Sequence, residues 1–144
     1  MHSFPNYRFV KTENIRLSKG WSRIGCDLLY KLHDLYSAEL MPHDLMIEGM
    51  HESYGRMVVD HNLSNVPVVS NLVFGFCSTA SKTCQDCGLY SARLHIRDAW
   101  VRTLCPTCAS MEGYALKVNS IRLFDNLGDL DRIRASGTPC PRIP

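Results

Sequence analysis

The 144-residue chain lacks most of the patterns that tie a sequence quickly to a chemistry. No apolar stretch approaches the roughly 18 residues of a membrane span, so no membrane partner is expected. Its opening, MHSFPNYRFVKTENIRLSKGW, has no apolar h-region, which argues against a secretory signal and for the cytoplasm, where thiols stay reduced. Charge is scarce: 21% of residues are charged and the formal net charge is +2, too little for the electrostatic footprint of a strong nucleic-acid binder. There is no basic run, internal repeat or low-complexity tract. There is also no glycine-rich phosphate loop, Ser-His-Asp set or paired-carboxylate pattern, so no catalytic residue is singled out and a non-enzymatic protein is expected. What is present is enough apolar material, 45% of the chain, for one domain with a real core.

Seven cysteines stand in the chain, an odd number that a closed disulfide framework does not use. Cys26, Cys77 and Cys140 are scattered; Cys26 and Cys77 fall on apolar helices, where a thiol acts as a small hydrophobe. Cys84, Cys87, Cys105 and Cys108 form two C-x2-C pairs with 17 residues (88–104) between them. That is a zinc-site spacing, with the pairs about 15–20 residues apart. Two intervening residues let a tight turn aim both thiolates at one point, and two such knuckles complete a tetrahedron with metal–sulfur bonds of about 2.3 Å. Gly88 suits the left-handed position such a turn needs. Four cysteines fill every tetrahedral position and leave none for water or substrate, so the expected Zn2+, one per chain, is structural.

Periodicity organises the rest. Trp21, Ile24, Leu28, Leu32 and Leu35 make a helical stripe over about 19–39, with Ser18 as cap and Pro42 as terminator. Strands are expected at 45–50 and 56–60 around a turn at 53–55, the second supported by Val58–Val59. Val66, Val69, Leu72, Val73, Phe76, Cys77 and Ala80 predict a second helix, capped by Ser64 or Asn65 and opened by Pro67. Between the cysteine pairs, 93–96 and 100–104 alternate as two strands turning at Arg97–Asp98, and Pro106 opens a short helix to about Leu116. The expected architecture is α+β: two helices packed on a small β-hairpin, with a C-terminal four-cysteine zinc ribbon. Residues 1–17 read as an arm, with a short strand around Tyr7–Val10. Residues 18–116 read as a single domain containing the ribbon at 81–110, and 117–144 as a tail, disordered in part or bound to a partner.

A longer pattern covers roughly residues 20–110. Gly20–Trp21, HESYG (His51–Gly55), a helix leading into STASKTCQDCG, and AWVRTLC resemble a family of small, mostly uncharacterised bacteriophage and prophage proteins. That family's pattern is GW, then K-E-K-F-G, S-x-x-x-C-x-x-C-G and W-x-R-T-L-C-x-x-H. Trp21, Glu52, Tyr54, Gly55, Ser81, Cys84, Cys87, Gly88, Trp100, Arg102, Thr103, Leu104 and Cys105 occupy matching or similar places. Both lysines of the middle motif are absent, replaced by His51 and Ser53; Met57–Val59 stand where the family has a basic and aromatic run; and the histidine often found last is Cys108 here. The resemblance implies a phage origin, a zinc ribbon and a bacterial host cytoplasm, and supplies no activity.

Three function classes follow. The leading expectation is a non-enzymatic, zinc-stabilised viral protein that binds a host protein or complex, for host takeover or counter-defence; an anti-CRISPR-like inhibitor is an example. The second is a zinc-ribbon nucleic-acid binder, with Arg93, His95, Arg97 and Arg102 as candidate partner or nucleic-acid contacts beside Trp100. The simpler reading places Trp100 in the core and the arginines on a solvated face. The third is a divergent His-Me finger nuclease: VVDHNLSN resembles the Asp-His of that class, and VRTLCPTC is similar to the second knuckle of the phage resolvase endonuclease VII. There the Asp-His pair lies between the knuckles, whereas Asp60-His61 precedes both, and the simpler reading is a polar strand end. His33 and His43 are expected at the surface.

Overall fold

The apolar stripe beginning at Trp21 forms helix α1 (Ser22–Ser37), entered through a short 3-10 turn at Lys19–Trp21. Leu28, Leu29 and Leu32 are buried along it. Ser18 has the extended backbone of a cap, but its hydroxyl makes no cap bond. The helix also ends earlier than Pro42 would end it. Leu40 N–H reaches Leu35 C=O at 2.8 Å and Glu39 N–H reaches Tyr36 C=O at 3.1 Å, with Glu39 at φ 59°. This is a Schellman closure, and it was invisible in the sequence because a glutamate, not a glycine, holds the left-handed position.

The computed structural model describes residues 4–117 of the protein. Over them the fold is α+β, with three helices and small sheets. Strand β1 (Ile15–Arg16) runs parallel to β2 (Ile47–Ser53), which pairs antiparallel with β3 (Arg56–His61) around a Tyr54–Gly55 turn. The hairpin was expected at 45–50 and 56–60; β2 begins two residues later and ends three later, and β3 runs one residue further. Helix α2 (Pro67–Ala80) starts at a proline as predicted. Its entry is fastened by the Val66 carbonyl, which accepts from Val69 N, Ser70 N and Ser70 Oγ, rather than by Ser64 or Asn65.

Residues 4–17 are not a loose arm. Phe9 and Val10 are buried in the same cluster as Leu28, Leu29, Leu32, Ile47, Met50, Val69 and Val73. Tyr7 stacks on His33 with ring centroids 4.1 Å apart. The expected strand at 7–10 is a single bridge, Val10 to Ile47, and the ladder forms further on at Ile15–Arg16. The Tyr7–His33 stack and the Val10–Ile47 bridge join positions more than 20 residues apart, so no local periodicity announces them.

The second half begins where α2 ends. Strand β4 (Arg93–Arg97) pairs with β5 (Trp100–Leu104) in the register His95 to Arg102 and Arg97 to Trp100, turning at Asp98–Ala99. Helix α3 (Pro106–Glu112) is shorter than expected, because Gly113 turns the chain back and β6 (Ala115–Leu116) pairs with the free side of β4. The expected tail, apart from Lys117, lies outside the described residues, as does Cys140. No helix among the described residues is long and apolar enough to cross a membrane.

Candidate metal centre

The first cysteine pair hangs from the end of α2. Thr83 N–H and its hydroxyl return to Ala80 C=O at 3.0 Å and Thr79 C=O at 2.8 Å. The loop then closes on itself: Cys84 N–H donates to Leu89 C=O and Gly88 N–H to Cys84 C=O, both at 2.9 Å. Gly88 sits at φ 80°, the left-handed region expected of it. The second pair is set by β5 and α3, where Cys105 is the residue that caps the helix and accepts Cys108 N–H on its sulfur at 3.4 Å. Leu89 N–H donates to Cys87 Sγ at the same 3.4 Å.

The hairpin brings the two turns face to face. The four sulfurs of Cys84, Cys87, Cys105 and Cys108 all lie within 4.8 Å of one another, and three of the four residues are buried. A tetrahedral ion with metal–sulfur bonds of about 2.3 Å needs sulfurs about 3.8 Å apart; Cys87 Sγ and Cys105 Sγ stand 3.8 Å apart. The four cysteines lie close enough to hold a metal ion, and no disulfide forms among the described cysteines. Backbone N–H groups directed at sulfur favour the thiolate that a metal requires.

A second set of residues locks this centre onto the first half. Trp21 is fully buried and its indole N–H donates to Thr83 C=O at 2.8 Å. Gly20 N–H donates to Gln85 C=O at 2.7 Å, an approach so close that a Cβ there would stand 2.1 Å from Cys84 O. Gln85, between the first two cysteines, is fully buried. Its backbone N–H reaches Thr103 C=O, and its side-chain oxygen accepts Thr103 N–H at 2.6 Å. Its amide nitrogen donates to Ser18 Oγ at 3.0 Å and to the Glu52 carboxylate, which also accepts from Ser18 Oγ. Thr103 Oγ1 donates to Gly55 C=O at 2.6 Å. Every polar group of Gln85 is thereby satisfied without water. Gly20, Trp21, Glu52, Gly55 and Thr103, far apart in the sequence, gather here. Gln85 carried no sequence signal, since only its partners, 18 to 67 residues away, give it a role.

The residues proposed as contacts divide. His95 is buried, with 7% of its surface exposed, and its Nδ1–H donates to Arg93 C=O at 2.8 Å. Burial pushes its pKa down. Arg102 keeps 22% side-chain exposure and ties the first knuckle to α3, 2.8 Å from Asp86 and 3.4 Å from Glu112. Burial opposes its charge, and Asp86 and Glu112 more than offset that, so its pKa is raised. Arg93 is half-buried on the same strand face. Arg97 is exposed, donates to Glu112 C=O at 2.7 Å and lies over the Tyr114 ring at 4.6 Å. Trp100 is not core: 69% of its surface is open at the hairpin tip.

Asp60 and His61 stay on β3. Asp60 lies 3.5 Å from His51, and His61 Nδ1 accepts Leu63 N–H at 3.2 Å. The four cysteines are the one group of three or more His, Cys, Asp or Glu placed to hold an ion among the described residues. Cys26 and Cys77 are half-buried, and burial raises both thiol pKa values. No family model, curated protein or solved structure matches the chain.

Proposed function

We propose that the chain is a non-enzymatic, zinc-stabilised interaction protein that acts in the cytoplasm of a bacterial host by binding a host protein. The observation that carries this reading is the closed set of four sulfurs within 4.8 Å. Zinc held by four thiolates has no position left for water, substrate or an activated nucleophile. It stabilises the fold instead, and Cys84, Cys87, Cys105 and Cys108 form a zinc ribbon. Apolar surface supports a protein as the target: Phe74, Tyr54 and Trp100 are large and exposed, the kind of side chain that anchors protein interfaces. Phage origin, and host takeover or counter-defence as the role, rest on the resemblance in Gly20–Trp21, His51–Gly55 and Trp100–Cys105.

Metal analysis of the purified chain should give one zinc per molecule, released on Cys105→Ser. Affinity capture from host lysate, followed by mass spectrometry, should enrich one protein or complex over a tag-only control. No enrichment would overturn protein binding, and cleavage of branched or single-stranded DNA in Mg2+ would overturn the non-enzymatic assignment. Nucleic-acid binding is the second reading, favoured by the open Trp100 ring opposite Arg97. It ranks lower because His95 and Arg102 serve internal contacts. A gel shift that weakens steeply with salt would promote it.

A further inference from the structure

We infer that a groove between the two halves is the docking site for an acidic peptide segment of the partner, one apolar side chain entering the groove and a carboxylate meeting Arg56. The inference rests on the protein-binding reading above. The groove encloses roughly 400 Å³ between the C-terminal end of α2, the start of β3 and the face of β4. Phe74, Cys77 and Ser78 line one wall, Arg56 and Met57 a second, and Leu94 a third. Both halves of the molecule supply it, so it exists only while they are locked together.

Its chemistry selects the occupant. Helix α2 contains no Asp, Glu, Lys or Arg, and Phe74 stands with 74% of its surface exposed. Thus an apolar side chain finds an apolar floor and an aromatic lip. Arg56 is the only lining residue with a full charge. It is exposed and belongs to no ion pair among the described residues. A planar guanidinium with five donors, free beside an apolar slot, suits a carboxylate. A lysine or arginine in the partner would meet repulsion there, and a purely apolar segment would leave Arg56 partly desolvated without a partner. Asp or Glu next to Leu, Met or Phe satisfies both parts of the groove.

A random peptide library displayed against the zinc-loaded full chain tests this. Enriched peptides should carry Asp or Glu beside a large apolar residue. Measured by fluorescence polarisation, they should bind Phe74→Ser at least about tenfold more weakly. Arg56→Glu should abolish binding and shift a fresh selection toward Lys-bearing peptides. Both sites are exposed, and unchanged zinc content and circular dichroism would confirm that the variants fold. Failure to enrich any peptide, enrichment without acidic bias, or equal affinity for both variants would overturn the groove assignment. So would a wild-type dimer that becomes monomeric in the variants, since the groove would then take a second copy. A host protein captured equally by wild type and both variants would leave the protein-binding reading standing and remove this site; peptides that bind as expected while no host protein is captured would do the reverse.

Discussion

The two halves of this molecule solve the problem of a core in different ways. The first, residues 4–80, buries Phe9, Leu28, Leu29, Leu32, Ile47, Met50 and Val69 around two helices and a sheet. The second, 81–117, buries little apolar bulk: Ala92, Leu104 and Ala109 surround the cysteines. A core that small cannot offset the entropy of ordering its chain. Zinc binding would supply the difference, and the hairpin, with α3 and β6, is the frame that brings the four cysteines together. Between the halves lies a third kind of contact, neither oil nor metal, in which Trp21, Gly20, Gln85, Glu52 and Thr103 exchange directed hydrogen bonds.

The sharpest way to separate the halves is to remove the metal. Structural zinc in small modules is worth about 10–16 kcal/mol of apparent binding energy at neutral pH. Chelation, or Cys105→Ser, should therefore collapse amide dispersion across 81–117 in an NMR spectrum, while helical circular dichroism from α1 and α2 largely persists. Simultaneous loss of both would mean that the halves form one cooperative unit. The next largest effect lies at the joint. Trp21→Ala removes a fully buried ring and the bond to Thr83 and should cost about 3–5 kcal/mol in denaturant unfolding. If the loss matches a simple core truncation such as Leu32→Ala and zinc affinity does not change, the joint is only packing.

Arg102→Met tests a smaller link. It leaves Asp86 and Glu112 without their cation, and a loss of about 1–3 kcal/mol is expected. Unfolding should lose a two-state fit as the second half loosens first. The smallest expected effect is pH-dependent. Burial lowers the pKa of His95, so the folded state binds its proton less readily than the unfolded state does. Stability is then full above the unfolded value of about 6.5 and falls as pH drops through that value toward the lower folded one. Comparing His95→Gln with wild type between pH 7.5 and about 5.5 should show a shallower decline in the variant. Parallel slopes would remove His95 from the account, because metal release acts on both proteins alike.

Much of the first half was legible. The stripes of α1 and α2 are local patterns, and the backbone follows them because side chains three or four residues apart share a face; the β2–β3 hairpin was signalled by its turn at 53–55 and the β-branched Val58–Val59. The clustering of Cys84, Cys87, Cys105 and Cys108 was legible for the same reason, since a C-x2-C turn is a local geometry. Helix termini were less so: α1 closes through a glutamate at φ 59° where a glycine would be expected, and α2 opens on the Val66 carbonyl rather than on a capping side chain. The packing of 4–17 and the pairing of β1 and β6 escaped because both ladders join segments distant in sequence or too short to show alternation.

Local spacing, read along the chain, was enough to name the four sulfurs, the two long helices and both hairpins. It could not say which polar residues face inward. Arg102 and His95 looked available and are engaged, Trp100 had a simple place in the core and is exposed, and Gln85 looked ordinary and joins both halves. A hydrogen bond or ion pair is decided by partners that only the docked halves bring within 3 Å or so, so those assignments belonged to the tertiary structure.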